Sequence, residues 1–204
     1  MAALASGLEL AESAASYALA STAMVTPPML SRATPCRAWD LATLLDHVTD
    51  SAGVLQEAIS AGRTGAVAAP GGSGPVARLR RQLSALLATA AAAGPADHPV
   101  AIGDRQLAAS VVAITGATEL AIHGWDIAVA CGRPRPVPPV LAVVLLATAP
   151  LLVPAGARHG LFADPVPLRG PACPGDELVA FLGRQPFSGP GPFRGDCDGS
   201  AWSA

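Results

Sequence analysis

Apolar residues recur at intervals of three and four along four stretches of this chain, and each stretch is closed by proline or glycine. From Ala5 to Met24, Leu8, Ala11, Ala15 and Leu19 share a helical face before Pro27 and Pro28, which predicts a first helix. Asp40 precedes Leu41, Leu44, Leu45, Val48, Leu55 and Ile59, so it is a natural N-cap for a second helix that ends near Gly62 and Gly65. Pro70 to Pro75 is a loop by composition, after which Val76–Ala93 places Leu79, Leu83, Leu86 and Leu87 on one side. A short β-prone piece, Val100–Ile102, leads through Gly103 to the longest predicted helix, Arg105–Cys131, closed by Gly132. Hardly any segment alternates as a strand would, so the pattern predicts an all-α chain: an antiparallel four-helix bundle over residues 1–150. A fifth apolar helix is expected over 138–149. Residues 151–204 read as an extension with one short helix, Asp176–Arg184, and a Pro/Gly-rich tail from Pro186 to Ala204.

With 51% hydrophobic and only 14% charged residues in 204, the chain can bury a core of ordinary size, which excludes disorder through low hydrophobicity. Its 13 basic and 15 acidic residues leave a net charge of −2 with no long run of either sign. That offers no footprint for a nucleic acid or an anionic membrane. The longest uncharged span, Pro136–Ala157, is cut by prolines until only Val140–Ala149 is continuous, far short of the roughly 20 residues that cross a bilayer. A buried helix or a subunit contact fits it better, so 138–152 is the place where a homodimer would form. Met1–Ser13 carries Glu9 and Glu12 and no basic region, unlike a secretory signal, and a cytoplasmic location is expected. Cys36, Cys131, Cys173 and Cys197 form no C-x-x-C pair and read as reduced, small apolar side chains rather than as a disulfide framework or a zinc knuckle.

Bundle proteins build sites from polar side chains that point inward from facing helices. In the fourth predicted helix the ionisable groups between Arg105 and Cys131 are Glu119, His123 and Asp126, and all three fall within one narrow stripe. Glu119 and His123, four residues apart, project from the same side one turn apart, the spacing by which a helix presents two metal ligands together. His47, at the border of the second helix's apolar face beside Leu44 and Ser51, can supply a third. Two imidazoles and one carboxylate on two helices leave a metal with an open position for water or substrate. Spacing alone also allows a plainer reading, in which the carboxylates form the polar side of a two-faced helix and the histidines are border residues.

The stretch Thr34-Pro-Cys-Arg-Ala-Trp-Asp-Leu-Ala-Thr-Leu-Leu-Asp-His47, followed far downstream by Glu119-Leu-Ala-Ile-His-Gly-Trp-Asp-Ile-Ala128, resembles the actinobacterial proteins related to mycothiol-dependent maleylpyruvate isomerase, within the DinB-like bundle superfamily. Phe162-Ala-Asp-Pro-Val-Pro and Asp176-Glu-Leu-Val-Ala-Phe-Leu-Gly-Arg-Gln-Pro186 are similar to the C-terminal signature of an uncharacterised subgroup, so the likeness runs over about residues 5–186. The resemblance implies a divalent metal, usually zinc, held by His47, Glu119 and His123, with Asp126 orienting an imidazole or receiving a proton. It implies mycothiol as cofactor or co-substrate. Cys36, Arg37 and Trp39, just before the second helix, are the candidates to border that thiol, with loop packing as their other reading. The implied function is a metal-dependent mycothiol S-transferase or isomerase acting on a small electrophilic metabolite, the metal activating the thiolate. A non-catalytic bundle that binds a small molecule or metal, and a metal-dependent hydrolase, are the alternatives. The isomerase itself continues into a separate substrate-binding domain, whereas only a short Pro/Gly-rich stretch follows this bundle. Isomerisation of maleylpyruvate itself is therefore not the expectation.

Overall fold

The computed structural model describes residues 6–65, 74–93, 99–133, 135–158 and 162–186. They fall into two compact units that meet in sequence at Arg135 and Pro136. In the first unit, α1 (Gly7–Thr22) opens on a reciprocal cap: Ser6 Oγ accepts from the Glu9 amide, and Glu9 Oε2 accepts from the Ser6 amide at 2.6 Å. α2 (Leu41–Ala61) opens on the expected Asp40, whose Oδ1 accepts from the amide and hydroxyl of Thr43 at 2.9 and 2.7 Å. It closes at Gly62, where φ is +63°, a conformation that glycine adopts at least cost. α3 (Pro75–Ala92) and α4 (Ala109–Ala130) complete the bundle.

α1 packs on α3 and α4, and α2 likewise packs on α3 and α4, so α1 and α2 occupy opposite corners of the bundle. Residues 23–40 make the diagonal crossing between them. Leu41, Leu44 and Leu45 of α2, Leu79, Leu83 and Leu86 of α3, and Leu120 and Ile127 of α4 are fully buried. α1 contributes a narrower face, Ala11, Ala14, Ala15 and Ala18, all without exposure. Small side chains there let α1 approach α4 closely: a Cβ added at Gly124 would stand 2.9 Å from the Tyr17 ring and 3.1 Å from the Ala18 backbone. Every residue of α4 from Leu120 to Ala128 is buried, which explains why that stretch carries no lysine or arginine.

The predicted helix over Arg105–Cys131 begins later than expected. Arg105–Ala108 is a strand, β3, paired antiparallel with β2 (Pro99–Ile102) in the register Ile102 to Arg105 and Pro99 to Ala108. Gly103, at φ +60°, reverses the chain in a two-residue turn, so the next four residues satisfy their backbone groups on β2 before α4 starts. A two-residue strand, β1 (Arg63–Thr64), joins the other edge of β2 in parallel, so the all-α bundle carries a small three-stranded ribbon.

In the second unit α5 (Pro139–Leu152) packs on α6 (Pro174–Phe181). Leu141, Leu145, Leu178 and Leu182 are its buried leucines, while Val140, Val143 and Leu151 of α5 are exposed. Arg158 Nη2 donates to the carbonyl oxygens of Ala163 and Phe181, both at 2.7 Å, and ties the chain between the helices onto the end of α6. Cys173 is disulfide-bonded, which corrects the reading of four reduced cysteines; local spacing carries no information about a pairing made through the fold. Cys36 and Cys131 are thiols. The predicted loop at 70–73, and the tail beyond Pro186 with Cys197, lie outside the described residues. No helix among the described residues is long and apolar enough to cross a membrane.

Candidate functional site

The diagonal crossing is clipped to the start of α2. The Leu41 amide donates to the Arg32 carbonyl at 2.9 Å, the Ala42 amide to the Leu30 carbonyl at 2.8 Å, and Ala33 bridges Asp40. Within the clip the Trp39 amide donates to the Cys36 carbonyl at 2.8 Å, and the Thr34 hydroxyl lies 3.1 and 2.9 Å from the Cys36 and Trp39 carbonyl oxygens. This tight turn carries Cys36 and Trp39 to the α2–α4 seam. There the Trp39 ring centroid lies 4.6 Å from that of His47 and 6.1 Å from that of His123.

At the seam α2 and α4 bring His47, Glu119 and His123 together. Glu119 Oε2 lies 3.1 Å from His123 Nε2 and 3.7 Å from His47 Nε2, and one donor atom from each residue falls within 4.8 Å of the other two. His123 is buried at 6% exposure, whereas the side chains of His47 and Glu119 are about one-third exposed, so the cluster opens to solvent on the Glu119 side. Behind it, the other nitrogen of His123, Nδ1, lies 2.9 Å from Oδ2 of Asp126, a carboxylate with no exposure. The Cys36 thiol donates to the same oxygen at 3.4 Å.

Electrostatics follow from this packing. Burial would raise the Glu119 pKa, but hydrogen bonds from His123 and His47 and their positive charge outweigh it and hold the carboxyl well below the usual range. Burial would lower the His123 pKa, yet Asp126, Cys36 and Glu119 together raise it well above the ordinary imidazole value. Tyr17, on α1 behind Gly124, is raised by its own burial, with Arg135 opposing and the Asp126 charge adding to the shift; its hydroxyl donates to the Arg135 carbonyl at 2.5 Å.

A divalent ion fits this donor set. Donors around a tetrahedral ion at about 2.1 Å stand about 3.4 Å apart, and the two Glu119 distances, 3.1 and 3.7 Å, bracket that spacing. His123 also has the outer partner that metal-binding imidazoles usually have, a carboxylate on the second nitrogen.

Of the residues singled out from sequence, the structure thus assembles His47, Glu119, His123, Asp126, Cys36 and Trp39. Arg37 is exposed and, among the described residues, joins none of them by a hydrogen bond or ion pair. Trp125 is buried in the core. Sequence reasoning missed the bond from Cys36 to Asp126 and the Thr34 clasp. Helical periodicity speaks only of neighbours on one helix, and these contacts join a loop to a helix about 90 positions away. The Thr-Pro pair at 34–35, a sequence that favours a turn, is the one local trace of the clasp.

Residues 11–128 match the family described as "Mycothiol maleylpyruvate isomerase N-terminal domain". Two Mycobacterium tuberculosis proteins, from strains CDC 1551 and H37Rv and described only as uncharacterized, are each 44% identical over 69 residues, 33% of this chain. That match spans 38% of their own length. The crystal structure of a mutant of the mycothiol-dependent maleylpyruvate isomerase aligns with a TM-score of 0.52 at 16% identity, over 70% of this chain and 67% of that one, and shows the shared bundle fold.

Proposed function

Because this chain belongs to the mycothiol maleylpyruvate isomerase N-terminal domain family, we propose that it is a divalent-metal enzyme that uses mycothiol to transfer or isomerise a small electrophilic metabolite. The observation that carries the reading is the convergence of His47, Glu119 and His123 from two helices at a solvent-facing point. These three residues would hold the ion, most readily zinc given two imidazoles and a carboxylate. When bound, the ion would lower the pKa of a thiol and keep its sulfur as the nucleophilic thiolate.

The chain's own residues supply the rest. Glu119 offers a carboxylate that its neighbours keep ionised and therefore ready to ligate. Asp126 holds Nδ1 of His123, which leaves Nε2 directed at Glu119 and the open side. Trp39 walls the mouth against His47. Its ring would exclude water from one flank of a bound thiol.

Zinc titration of purified protein, followed by addition of mycothiol, is expected to give one equivalent of tightly held metal and the ultraviolet absorbance of a thiolate. Protein purified under metal-replete conditions that carries no metal overturns the reading.

A further inference from the structure

We propose that Cys36 is a positioning residue: its thiol, on the loop before α2, holds the Asp126 carboxylate that in turn orients His123 on α4. What His123 does with that orientation rests on the metal-centre reading above; the relay itself rests on geometry. Asp126 Oδ2 is the shared acceptor, 2.9 Å from His123 Nδ1 and 3.4 Å from Cys36 Sγ, and Sγ lies 4.0 Å from Nδ1, so the three atoms close a triangle. Asp126 has no solvent exposure. Water therefore has little access to replace a donor that this carboxylate loses. A thiol is a weak donor toward a neutral acceptor, but a charged acceptor strengthens the bond.

The loop geometry supports the same conclusion. Cys36 sits in the turn closed by the Trp39 amide and clasped by Thr34, and that turn is fastened to the first residues of α2. The thiol is thereby delivered against Asp126 by a rigid clip. Cys36, His123 and Asp126 are also a chemically plausible ligand trio in their own right. Their 2.9 Å N to O separation is that of a hydrogen bond, shorter than about 3.4 Å expected of two donors sharing an ion. A proton on Nδ1 fits the space, and it leaves Nε2 as the ligating nitrogen. Cys36 consequently faces the back of the centre, and its part in binding a thiol cofactor is indirect.

The test compares Cys36→Ala, which removes the donor, with Cys36→Ser, which restores one. Zinc affinity, measured by competition with a chromophoric chelator, is expected to fall by about 10-fold or more in Cys36→Ala and to stay within about threefold of wild type in Cys36→Ser. In metal-free protein the Nδ1–H proton of His123 is expected to give a slowly exchanging downfield NMR resonance in wild type and Cys36→Ser, broadened by exchange in Cys36→Ala. Wild-type behaviour of Cys36→Ala in both measurements overturns the proposal. Equal loss in Ala and Ser variants, in step with lost thermal stability, also overturns it, because that is packing. So does Cys36→Ser that loses mycothiol affinity while metal affinity is unchanged, because that is direct contact. If wild type itself binds no zinc, the metal-centre reading fails and the NMR comparison alone decides the role of Cys36.

Discussion

Arg158 in the C-terminal unit and His123 in the bundle are both buried ionisable side chains, and their polar partners are of opposite kinds. Arg158 donates to two main-chain carbonyls at 2.7 Å, with the Phe181 and Phe162 rings 5.2 and 6.0 Å from its guanidinium carbon. Those partners neither gain nor release a proton at ordinary pH, so the arrangement is fixed. The polar partners of His123 are the side chains of Asp126, Glu119 and Cys36 rather than main-chain carbonyls, and the Glu119 side faces solvent. A charge tied to backbone holds a fold. Charges tied to one another beside an opening can trade protons for a cation.

The largest expected effect is that of His123→Ala, which removes a ligand and the imidazole that pairs with the buried Asp126 carboxylate. Zinc affinity should fall by more than about 100-fold, beyond the cost of losing an outer partner, and the metal-free bundle should lose about 3 kcal/mol. Elemental analysis and chemical denaturation measure the two, and a variant that keeps its metal breaks the contrast with Arg158. Next, Arg158→Met should cost about 2 kcal/mol by leaving the Ala163 and Phe181 carbonyls unpaired. Faster amide exchange should be confined to the C-terminal unit, with zinc affinity unchanged; a matching loss of zinc would erase the distinction. Gly124→Ala, forced against Tyr17 and the Ala18 backbone, should cost about 1–2 kcal/mol of bundle stability by overpacking, and unchanged thermal unfolding would show that α1 yields there.

The pH response of metal-stripped protein is the gentlest test. Glu119 is depressed below its ordinary value of 4.5, so its contribution is complete above about 4.5 and is lost as pH falls toward the folded value. His123 is raised above 6.5, so its contribution is complete below about 6.5 and fades as pH rises through the folded value. Stability should therefore peak between those limits in wild type, and in His123→Ala the part of the decline that begins near neutral pH should vanish, leaving only the loss at higher pH that comes from the raised Cys131 and Tyr17 groups. Solvent near Glu119 will soften the acid limb. Melts across pH in both proteins check this.

The helices were legible because burial repeats on the helical period, and the site's front was legible because Glu119 and His123 sit one turn apart on a helix with no other use for charge. Asp40 as a cap was equally plain. β3 was not, since Arg105-Gln-Leu-Ala has no strand pattern and becomes one only through the Gly103 turn. Arg158 was not, because its partners are carbonyls that every residue possesses. The Cys173 disulfide and the Cys36 relay escaped for a related reason: each depends on segments that only the folded chain brings together.

His123 serves two masters with one ring. Asp126 is sealed inside the bundle and needs a cationic or donating neighbour whether or not anything ever docks in front. A descendant that abandoned the chemistry would still be penalised for discarding this histidine, whereas His47 and Glu119, at the rim, could drift freely. When homologues are sorted into working catalysts and retired scaffolds, the informative columns are therefore those of the rim pair, and persistence of the central imidazole by itself certifies nothing.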